Sequence, residues 1–464
     1  MVILVCAHAV CSGERASGDS PASRRRPNII LLTVESLRTD HLSSYGYGKP
    51  TTPAMERLAT GATLYENAYA VTSWTLTSHA SLFTGLYPST HRVRFARDKL
   101  DDSYTTLAEQ LASAGYQTAG LISGPLLQKQ HQLHQGFGLY DESSSNPNGF
   151  TSSHADITNP SMERLLFRFL REGRRDGVPF FLFAYLWDPH YYYIPPEPYN
   201  KTFVSEGMTP IDCRGCDMAT FQKKELAYVI SQYDGEILWT DTLLGRLWDE
   251  LKRLGLWDET AIILTADHGE EFFDHGFKGH RNNLHEETVH VPLIIKLPGQ
   301  NGARRETRVT SLIDLYPTIL EIGGAAVPEG QRGVSLLGAS PQQRRIYFEL
   351  QTEWTRPNAI TGAPEYVTNA FRGVRFGEFK FIKEYQGKRR ELYSIARDPK
   401  ETAPVETSAE RLAALERELE ADFDRMTKDA ERWQAAGPAE LTPEQEERLR
   451  SLGYVTAPKP KQPR

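Results

Sequence analysis

The chain has 464 residues, of which 39% are hydrophobic and 24% are charged, and its formal net charge is −7 at pH 7. This composition is typical of a globular protein and excludes a disordered or collagen-like chain. The acidic balance argues against a nucleic-acid partner, and no apolar run approaches the roughly 20 residues that a membrane span needs. At this length we expect one large domain and one smaller domain.

The first 26 residues differ from the rest of the chain. Residues 1–11 are apolar enough to be the core of a shortened signal peptide, and residues 12–26 are small, polar and basic, so 1–26 is predicted to be a leader. Cys213 and Cys216 form a C-x-x-C pair without a second pair. That pattern favours a local disulfide over a zinc site, with two spare loop thiols as the alternative. We therefore expect an exported or cell-envelope protein, periplasmic or secreted.

Strands and helices are predicted to alternate from residue 27 to residue 335. Nearly continuous apolar runs, typical of central parallel strands, occur at 28–34, 117–123, 178–187, 261–265 and 291–296. Helical patterns occur at 54–60, 75–84, 103–114, 224–254 and 311–322. This alternation predicts an α/β catalytic domain over 27–335, in which a mostly parallel central sheet lies between helices.

The pattern changes after residue 335. Short, aromatic segments separated by turns predict a small antiparallel sheet with strands at 345–350, 370–376, 379–384 and 391–394. A helix over 408–433 carries one apolar stripe and is predicted to dock on this sheet, with a dimer contact as the alternative. Residues 336–434 would then form a small C-terminal α+β subdomain, and residues 435–464, rich in Pro, Glu and Lys, a tail.

Acidic and imidazole side chains follow three of the predicted central strands. Glu35 follows the first strand, His190 comes shortly after the strand at 178–187, and Asp267 with His268 follows the strand at 261–265. Ligands of open α/β sheets bind beyond the carboxyl ends of the strands, so these side chains are expected to converge there on a divalent cation. Five of the thirteen histidines fall between His268 and His290, which favours an anion and metal site.

Thr75, at the start of the predicted helix 75–84, is the candidate nucleophile. Free backbone N–H groups and the positive end of the helix dipole favour anionic groups at such a position. An alcohol needs activation, which a metal ion can supply, and a plain helix cap is the alternative role for this hydroxyl. Glu35, Thr75, Asp267 and His268 would make a four-ligand set that holds the nucleophile on the metal itself.

Several stretches of the chain resemble the sulfatase branch of the alkaline phosphatase superfamily. Thr75, Ser78, His79 and Thr84-Gly85 follow the spacing of the sulfatase signature Cys-x-Pro-Ser-Arg-x-x-x-x-Thr-Gly. Similar text occurs at 28–47 (NIILLTVESLRTDHLSSYGY), 265–271 (TADHGEE) and 391–399 (ELYSIARDP). The resemblance implies an alkaline-phosphatase-like fold. The chain departs from the signature at Thr75, which replaces the cysteine that becomes formylglycine, and at His79, which replaces the arginine.

The resemblance also implies roles for four histidines and a cofactor. His79 would help to hold the non-bridging oxygens of the ester, His190 or His280 would protonate the leaving oxygen, and His275 would bind substrate. His280 stands where sulfatases use a lysine. The implied cofactor is one divalent metal ion, with Zn²⁺ or Mn²⁺ favoured over Ca²⁺ or Mg²⁺. The implied partner is an anionic ester of a small molecule, glycan or lipid.

The leading hypothesis is a metal-dependent hydrolase of sulfate, phosphate or phosphonate esters that uses Thr75 as a covalent nucleophile. Threonine lacks the second hydroxyl of hydrated formylglycine, so release would need water, which disfavours ordinary arylsulfatase action. One alternative is a phosphotransferase of the phosphoethanolamine-transferase type, which usually carries membrane helices that this sequence lacks. Another is a catalytically silent anion-binding homologue, against which the intact ligand set counts. The oligomeric state stays open.

Overall fold

The computed structural model describes residues 26–145, 157–211, 223–339, 344–357 and 364–455. The strands are β1 Asn28–Val34, β2 Thr63–Tyr69, β3 Gln117–Ile122, β4 Leu139–Asp141, β5 Phe180–Leu186, β6 Thr260–Ala266, β7 Glu271–Phe272, β8 Lys278–Gly279, β9 His290–Lys296, β10 Arg304–Ser311, β11 Arg345–Pro357, β12 Pro364–Phe376, β13 Phe379–Glu384 and β14 Arg390–Ser394. The α-helices are α1 Pro53–Ala59, α2 Thr75–Thr84, α3 Pro88–His91, α4 Leu107–Ser113, α5 Asn159–Arg168, α6 Tyr199–Thr202, α7 Lys223–Arg253, α8 Glu286–Val289, α9 Leu315–Ile322, α10 Ala409–Asp429 and α11 Pro443–Ser451.

The large sheet has eight strands in the order β10-β2-β9-β6-β1-β5-β3-β4, and β9 alone among them runs antiparallel to its neighbours. The predicted α/β class with a mostly parallel sheet is therefore confirmed. At its centre, Val34 of β1 pairs with Ala266 of β6 on one side and with Leu186 of β5 on the other. The residues that directly follow these three strands consequently lie side by side at the carboxyl edge of the sheet.

The sequence did not predict three strands of this sheet, β2, β4 and β10. β10 reads RRETRVTS and lies at the edge, with its first residues exposed, so no apolar run marks it. β2 carries Glu66 and Asn67 where its pairing with both neighbours is irregular. Helix α4 is also shorter than predicted, because Thr106 caps it by accepting a hydrogen bond from the N–H of Glu109 at 3.2 Å.

The small sheet is antiparallel, as predicted, and its strands lie in the order β11-β12-β13-β14. Helix α10 packs on it through its predicted stripe, so the predicted docking is confirmed. The buried residues of this contact are Val374, Phe381, Leu392, Leu415, Leu419, Phe423 and Met426. Val71, Tyr87 and Ile313 belong to the same apolar cluster, so α10 also stabilises the contact between the two parts of the chain.

The segment predicted to be a tail includes helix α11, which packs on the large domain. Leu449, Leu452 and Tyr454 are buried in the main apolar core. Residues 1–25 of the predicted leader and the cysteines of the predicted disulfide lie outside the described residues. Among the helices of the described ranges, none has both the length and the apolar character that a membrane crossing requires.

Candidate active site

Helix α2 carries Thr75 at its first residue, next to the carboxyl ends of the central strands. Trp74 precedes it in an extended conformation, and Gly85 ends the helix in the left-handed region at φ 68°. The Thr75 side chain is fully buried. Its Oγ1 lies 3.1 Å from Nε2 of His268 and 3.4 Å from Oε2 of Glu35. The hydroxyl thus faces an acid–imidazole cluster from the N-terminus of a 10-residue helix.

The four predicted metal ligands come together in this cluster. Nε2 of His268 lies 3.2 Å from Oε1 of Glu35 and 3.5 Å from Oδ2 of Asp267. All four side chains, including that of Thr75, are at most 1% exposed. The convergence follows from the sheet, because Glu35 and Asp267 directly follow β1 and β6, which pair in register.

Hydrogen bonds fix the orientation of these side chains. Oδ1 of Asp267 accepts from the N–H groups of Ser36 and His268, at 3.2 and 3.0 Å. Glu35 accepts from the hydroxyl of Ser36 at 2.7 Å and from the hydroxyl of Tyr185. Nδ1 of His268 donates to the main-chain carbonyl of Gly269 at 2.8 Å. Since a carbonyl only accepts, this bond turns Nε2 of His268 toward the cluster.

The shifted pKa values and the donor atoms of the cluster fit a bound cation. Burial and the neighbouring Glu35 carboxylate both raise the pKa of Asp267 well above its usual value. Burial would lower the pKa of His268, but the carboxylates of Asp267 and Glu35 raise it to about 10. Oδ2 of Asp267 is buried without a hydrogen-bond partner. An orphaned carboxylate oxygen, a second carboxylate and an imidazole nitrogen fit a divalent cation.

His280 also lies at this cluster. In the described part of the chain, Glu35, His268 and His280 offer ligand atoms within 4.8 Å of one another and could hold a metal ion. The ring centroids of His280 and His268 are 4.5 Å apart. The other ring nitrogen of His280, Nδ1, pairs with Oε1 of Glu270 at 3.2 Å. His280 therefore borders the predicted ligand set.

His79 lies beneath Thr75, one helical turn along α2. Its Nδ1 donates to the main-chain carbonyl of Thr75 at 2.9 Å, and its Nε2 then accepts from the hydroxyl of Thr33 at 2.9 Å. Burial lowers the pKa of His79 to about 4, which keeps the ring neutral. Both ring nitrogens thus bind protein atoms in this structure. The contact with ester oxygens that the sequence analysis expects of His79 stays a prediction.

His190, which follows β5, faces His280 across the hydroxyl of Tyr454. Its Nε2 lies 2.7 Å from the Tyr454 oxygen, and its ring stacks on Trp187 with centroids 3.8 Å apart. The Tyr454 oxygen is 3.4 Å from Nε2 of His280. Both candidate proton donors therefore stand together on one side of the cluster.

The hydrogen-bond partners of His275 lie outside the predicted ligand set. Its Nδ1 lies 2.9 Å from Oε1 of Glu287, and its Nε2 lies 3.0 Å from the main-chain carbonyl of Glu401. Its ring stacks on that of His285, with centroids 3.7 Å apart. Burial would lower the pKa of His275, but Glu287 raises it to about 9. His285 is itself buried and pairs with Glu401. The substrate-binding role of His275 stays a prediction.

Three residues of the site were missed by sequence reasoning. Tyr185 lies inside β5, where an apolar run hides its hydroxyl. Glu270 stands within the TADHGEE segment, and burial raises its pKa to about 8. Tyr454 comes from the segment predicted to be a tail. The position of Glu270 two residues after His268 was the one local signal among them.

Comparison with known protein families places the chain among the α/β ester hydrolases of the alkaline phosphatase superfamily. The sulfatase family model matches residues 27–325, and the model of the C-terminal region of N-sulphoglucosamine sulphohydrolase matches residues 272–429. The chain belongs to the sulfatase family.

Curated relatives and solved structures agree with this placement. The chain is 27% identical over 394 residues to the multifunctional alkaline phosphatase superfamily protein PehA of Trinickia caryophylli, which covers 67% of this chain and 76% of the relative. It is 24% identical over 477 residues to arylsulfatase K of Canis lupus familiaris, covering 85% and 82%. The phosphonate monoester hydrolase of Agrobacterium radiobacter superposes with a TM-score of 0.69 at 23% identity, covering 87% of this chain and 96% of that one. The last similarity supports the fold.

Proposed function

We propose that this chain is a metal-dependent hydrolase of sulfate, phosphate or phosphonate esters that forms a covalent intermediate on Thr75. One observation carries the proposal: the Thr75 hydroxyl lies 3.1 Å from His268 and 3.4 Å from Glu35 at a helix N-terminus. Glu35, Thr75, Asp267 and His268 would hold the cation. Once bound, it would lower the pKa of the Thr75 hydroxyl and neutralise charge on the ester oxygens.

The residues of the chain carry out two displacements in this proposal. The Thr75 hydroxyl loses its proton to solvent, and its oxygen attacks the phosphorus or sulfur in line with the leaving oxygen. The bond to the leaving oxygen breaks as His190 or His280 donates a proton to it. A water molecule then attacks the phosphorus or sulfur and gives its proton to the same histidine, and the bond to Thr75 breaks as the Thr75 oxygen takes a proton back from solvent. Backbone N–H groups at the start of α2 would stabilise the anionic group.

The identity of residue 75 bears on the choice of substrate. A threonine ester has no second hydroxyl through which to expel the bound group, so water has to cleave it. We therefore favour phosphate or phosphonate esters over simple aryl sulfates. The relatives include a multifunctional alkaline phosphatase superfamily protein as well as arylsulfatases, so the preference rests on residue 75. The substrate would be a small-molecule, glycan or lipid ester met in an exported or cell-envelope location.

The metal is proposed to be Zn²⁺ or Mn²⁺, with Ca²⁺ and Mg²⁺ as the alternatives. The reason is the donor set, which mixes an imidazole nitrogen with carboxylate oxygens. Such a set suits Zn²⁺ or Mn²⁺ better than Ca²⁺, whose sites are typically all oxygen. Loading the chelated protein with each ion in turn tests the order.

An ester panel tests the proposed function. We expect the metal-loaded protein to hydrolyse 4-nitrophenyl phosphate or 4-nitrophenyl phenylphosphonate faster than 4-nitrophenyl sulfate, with water as acceptor. Protein stripped of metal by a chelator serves as the control, and it should be inactive until metal is added back. A metal-loaded protein that binds these anions without hydrolysing any of them would instead support the silent homologue. Turnover that needs an added alcohol acceptor would support the transferase.

Tyr185→Phe should weaken metal binding without unfolding the protein. The Tyr185 hydroxyl donates to Oε2 of Glu35, and partners of this kind that orient a ligand are worth about 10–100-fold in metal affinity. Calorimetric titration of the chelated protein with Zn²⁺ or Mn²⁺ measures the change. Tyr116→Phe is the matched control, because the hydroxyl of Tyr116 donates to the main-chain carbonyl of Pro27. Equal affinities in both variants and the wild type would reject the role of Tyr185.

A further inference from the structure

The C-terminal segment of the described chain contributes a side chain to the active site. Tyr454 is 5% exposed, and its ring meets that of Trp74 edge to face with centroids 4.7 Å apart. Trp74 directly precedes Thr75. The Tyr454 oxygen lies 2.7 Å from His190 and 3.4 Å from His280, the two candidate proton donors. One phenol thus contacts both histidines and the residue before the nucleophile.

The end of helix α11 aims Tyr454 at the site. Gly453 adopts the left-handed region at φ 71°, and its N–H donates to the carbonyl of Arg450 at 2.9 Å. The N–H of Tyr454 donates to the carbonyl of Leu449 at 2.8 Å. These two bonds form a Schellman motif, which reverses the chain after a helix. Tyr454 is therefore held rigidly to α11.

Helix α11 is itself fixed to the large domain. Glu446 pairs with Arg97 at 2.7 Å, and Leu449 and Leu452 are at most 2% exposed. The guanidinium of Arg281 lies 3.9 Å over the Trp74 ring and 5.3 Å over the Tyr454 ring. Arg281 also donates to the main-chain carbonyl of Gly453 at 3.3 Å. The segment is therefore a built part of the site.

The hydrogen bonds around the Tyr454 hydroxyl can form one chain, in which His280 donates to Tyr454 and Tyr454 donates to His190. Nδ1 of His190 bonds to the main-chain carbonyl of Tyr191, so the nitrogen donates and the Nε2 of a neutral ring accepts. With His190 neutral, the hydroxyl of Tyr454 donates to it, and the Tyr454 oxygen can accept from Nε2 of His280. When His190 carries the proton to be delivered, its Nε2 donates to the same oxygen instead. A tyrosine that served packing alone could satisfy its hydroxyl with any main-chain carbonyl, as Tyr104 does with Thr90.

We propose that Tyr454 is a positioning residue whose hydroxyl holds His190 and His280 in place for proton delivery to the leaving oxygen. This inference rests on the proposed function. It makes the C-terminal segment part of the catalytic apparatus, although that segment lies 264 positions after His190. It also implies that loss of the hydroxyl slows departure of the leaving alcohol. Binding of the anionic group at Thr75 should not change.

Tyr454→Phe in the full-length, metal-loaded protein tests the proposal. We expect kcat to fall about 10–100-fold for esters of weakly acidic alcohols, which need a proton most, and to change little for 4-nitrophenyl esters. KM should stay unchanged in both series. Tyr104→Phe is the matched control, since it removes a buried hydroxyl that binds a main-chain carbonyl away from the site. It should leave both series unaffected.

Two outcomes would overturn the proposal on Tyr454. One is an equal loss of kcat for every leaving group, which indicates a structural role, and the other is an unchanged kcat throughout. A measurement without turnover separates this failure from failure of the proposed function. Carbethoxylation of His190 and His280 by diethyl pyrocarbonate, followed by peptide mass spectrometry, should be about 5–10-fold faster in Tyr454→Phe than in the wild type, because the variant keeps the ring and loses only the hydroxyl bond. Equal rates would overturn the proposal even if no ester is hydrolysed.

Discussion

Thr75→Ala is expected to abolish ester hydrolysis while the protein stays folded. The substitution removes the oxygen that lies 3.1 Å from Nε2 of His268 and 3.4 Å from Oε2 of Glu35. In the proposed scheme this oxygen forms the covalent bond to substrate, so its loss should reduce kcat by about 1,000-fold or more. Steady-state kinetics on the most active ester of the panel measures the loss, and thermal unfolding reports the fold.

Two companion variants sharpen this result. Thr75→Ser keeps the hydroxyl and should retain measurable hydrolysis. Thr77→Ala removes a hydroxyl that is also buried on α2 but has no hydrogen-bond partner, so it should leave kcat nearly unchanged. If Thr75→Ala kept more than a small part of the wild-type kcat, the hydroxyl would not be the nucleophile.

Asp267→Asn is expected to release the metal ion. Oδ1 of Asp267 is held by two backbone N–H groups, which leaves the orphaned Oδ2 as the free ligand atom. The amide keeps the shape of the side chain but removes its charge, so metal affinity should fall about 100-fold or more and hydrolysis with it. Inductively coupled plasma mass spectrometry after dialysis against buffered metal measures the metal bound per protein, and the two proteins compared in this way give the change in affinity.

The opposite end of the same strand offers the control. Asp258 precedes β6 and is exposed, so Asp258→Asn makes the same chemical change far from the site and should keep full metal content. Stoichiometric metal in Asp267→Asn at wild-type affinity would remove Asp267 from the ligand set. Restored hydrolysis at high metal concentration would show that the variant fails through binding alone.

The ligand cluster could be predicted because its signals are local. Glu35, Asp267 and His268 come directly after apolar runs, and such runs become central strands whose carboxyl ends meet at one edge. Pairing of Val34 with Ala266 then fixes the proximity. The same reasoning fails for polar edge strands such as β10, whose residues carry no apolar run.

The surroundings of the cluster could not be predicted because they depend on long-range packing. His280 directly follows β8, and the β7–β8 hairpin brings it to Glu35 and His268, which histidine density alone does not specify. His275 lies in the same hairpin but contacts Glu287 and Glu401. Tyr454 meets His190 only because α11 returns to the large domain, and no local pattern of the segment indicates that contact.

His79 illustrates how a motif position can change its contacts with the residue type. Its spacing of four residues from Thr75 places the two on one face of α2. A long arginine there could extend past the helix, whereas the short imidazole reaches back to the Thr75 carbonyl and the Thr33 hydroxyl. We therefore expect His79 to orient the nucleophile through the main chain.

Peptide mass spectrometry after a substrate pulse detects whether a covalent intermediate forms on Thr75. Metal-loaded protein is mixed with its best ester, quenched in acid at short times and digested. We expect the peptide containing Thr75 to gain the mass of one phospho, phosphono or sulfo group during turnover and to lose it once substrate is exhausted. Hydrolysis with residue 75 unmodified at every quench time would exclude Thr75 as the nucleophile.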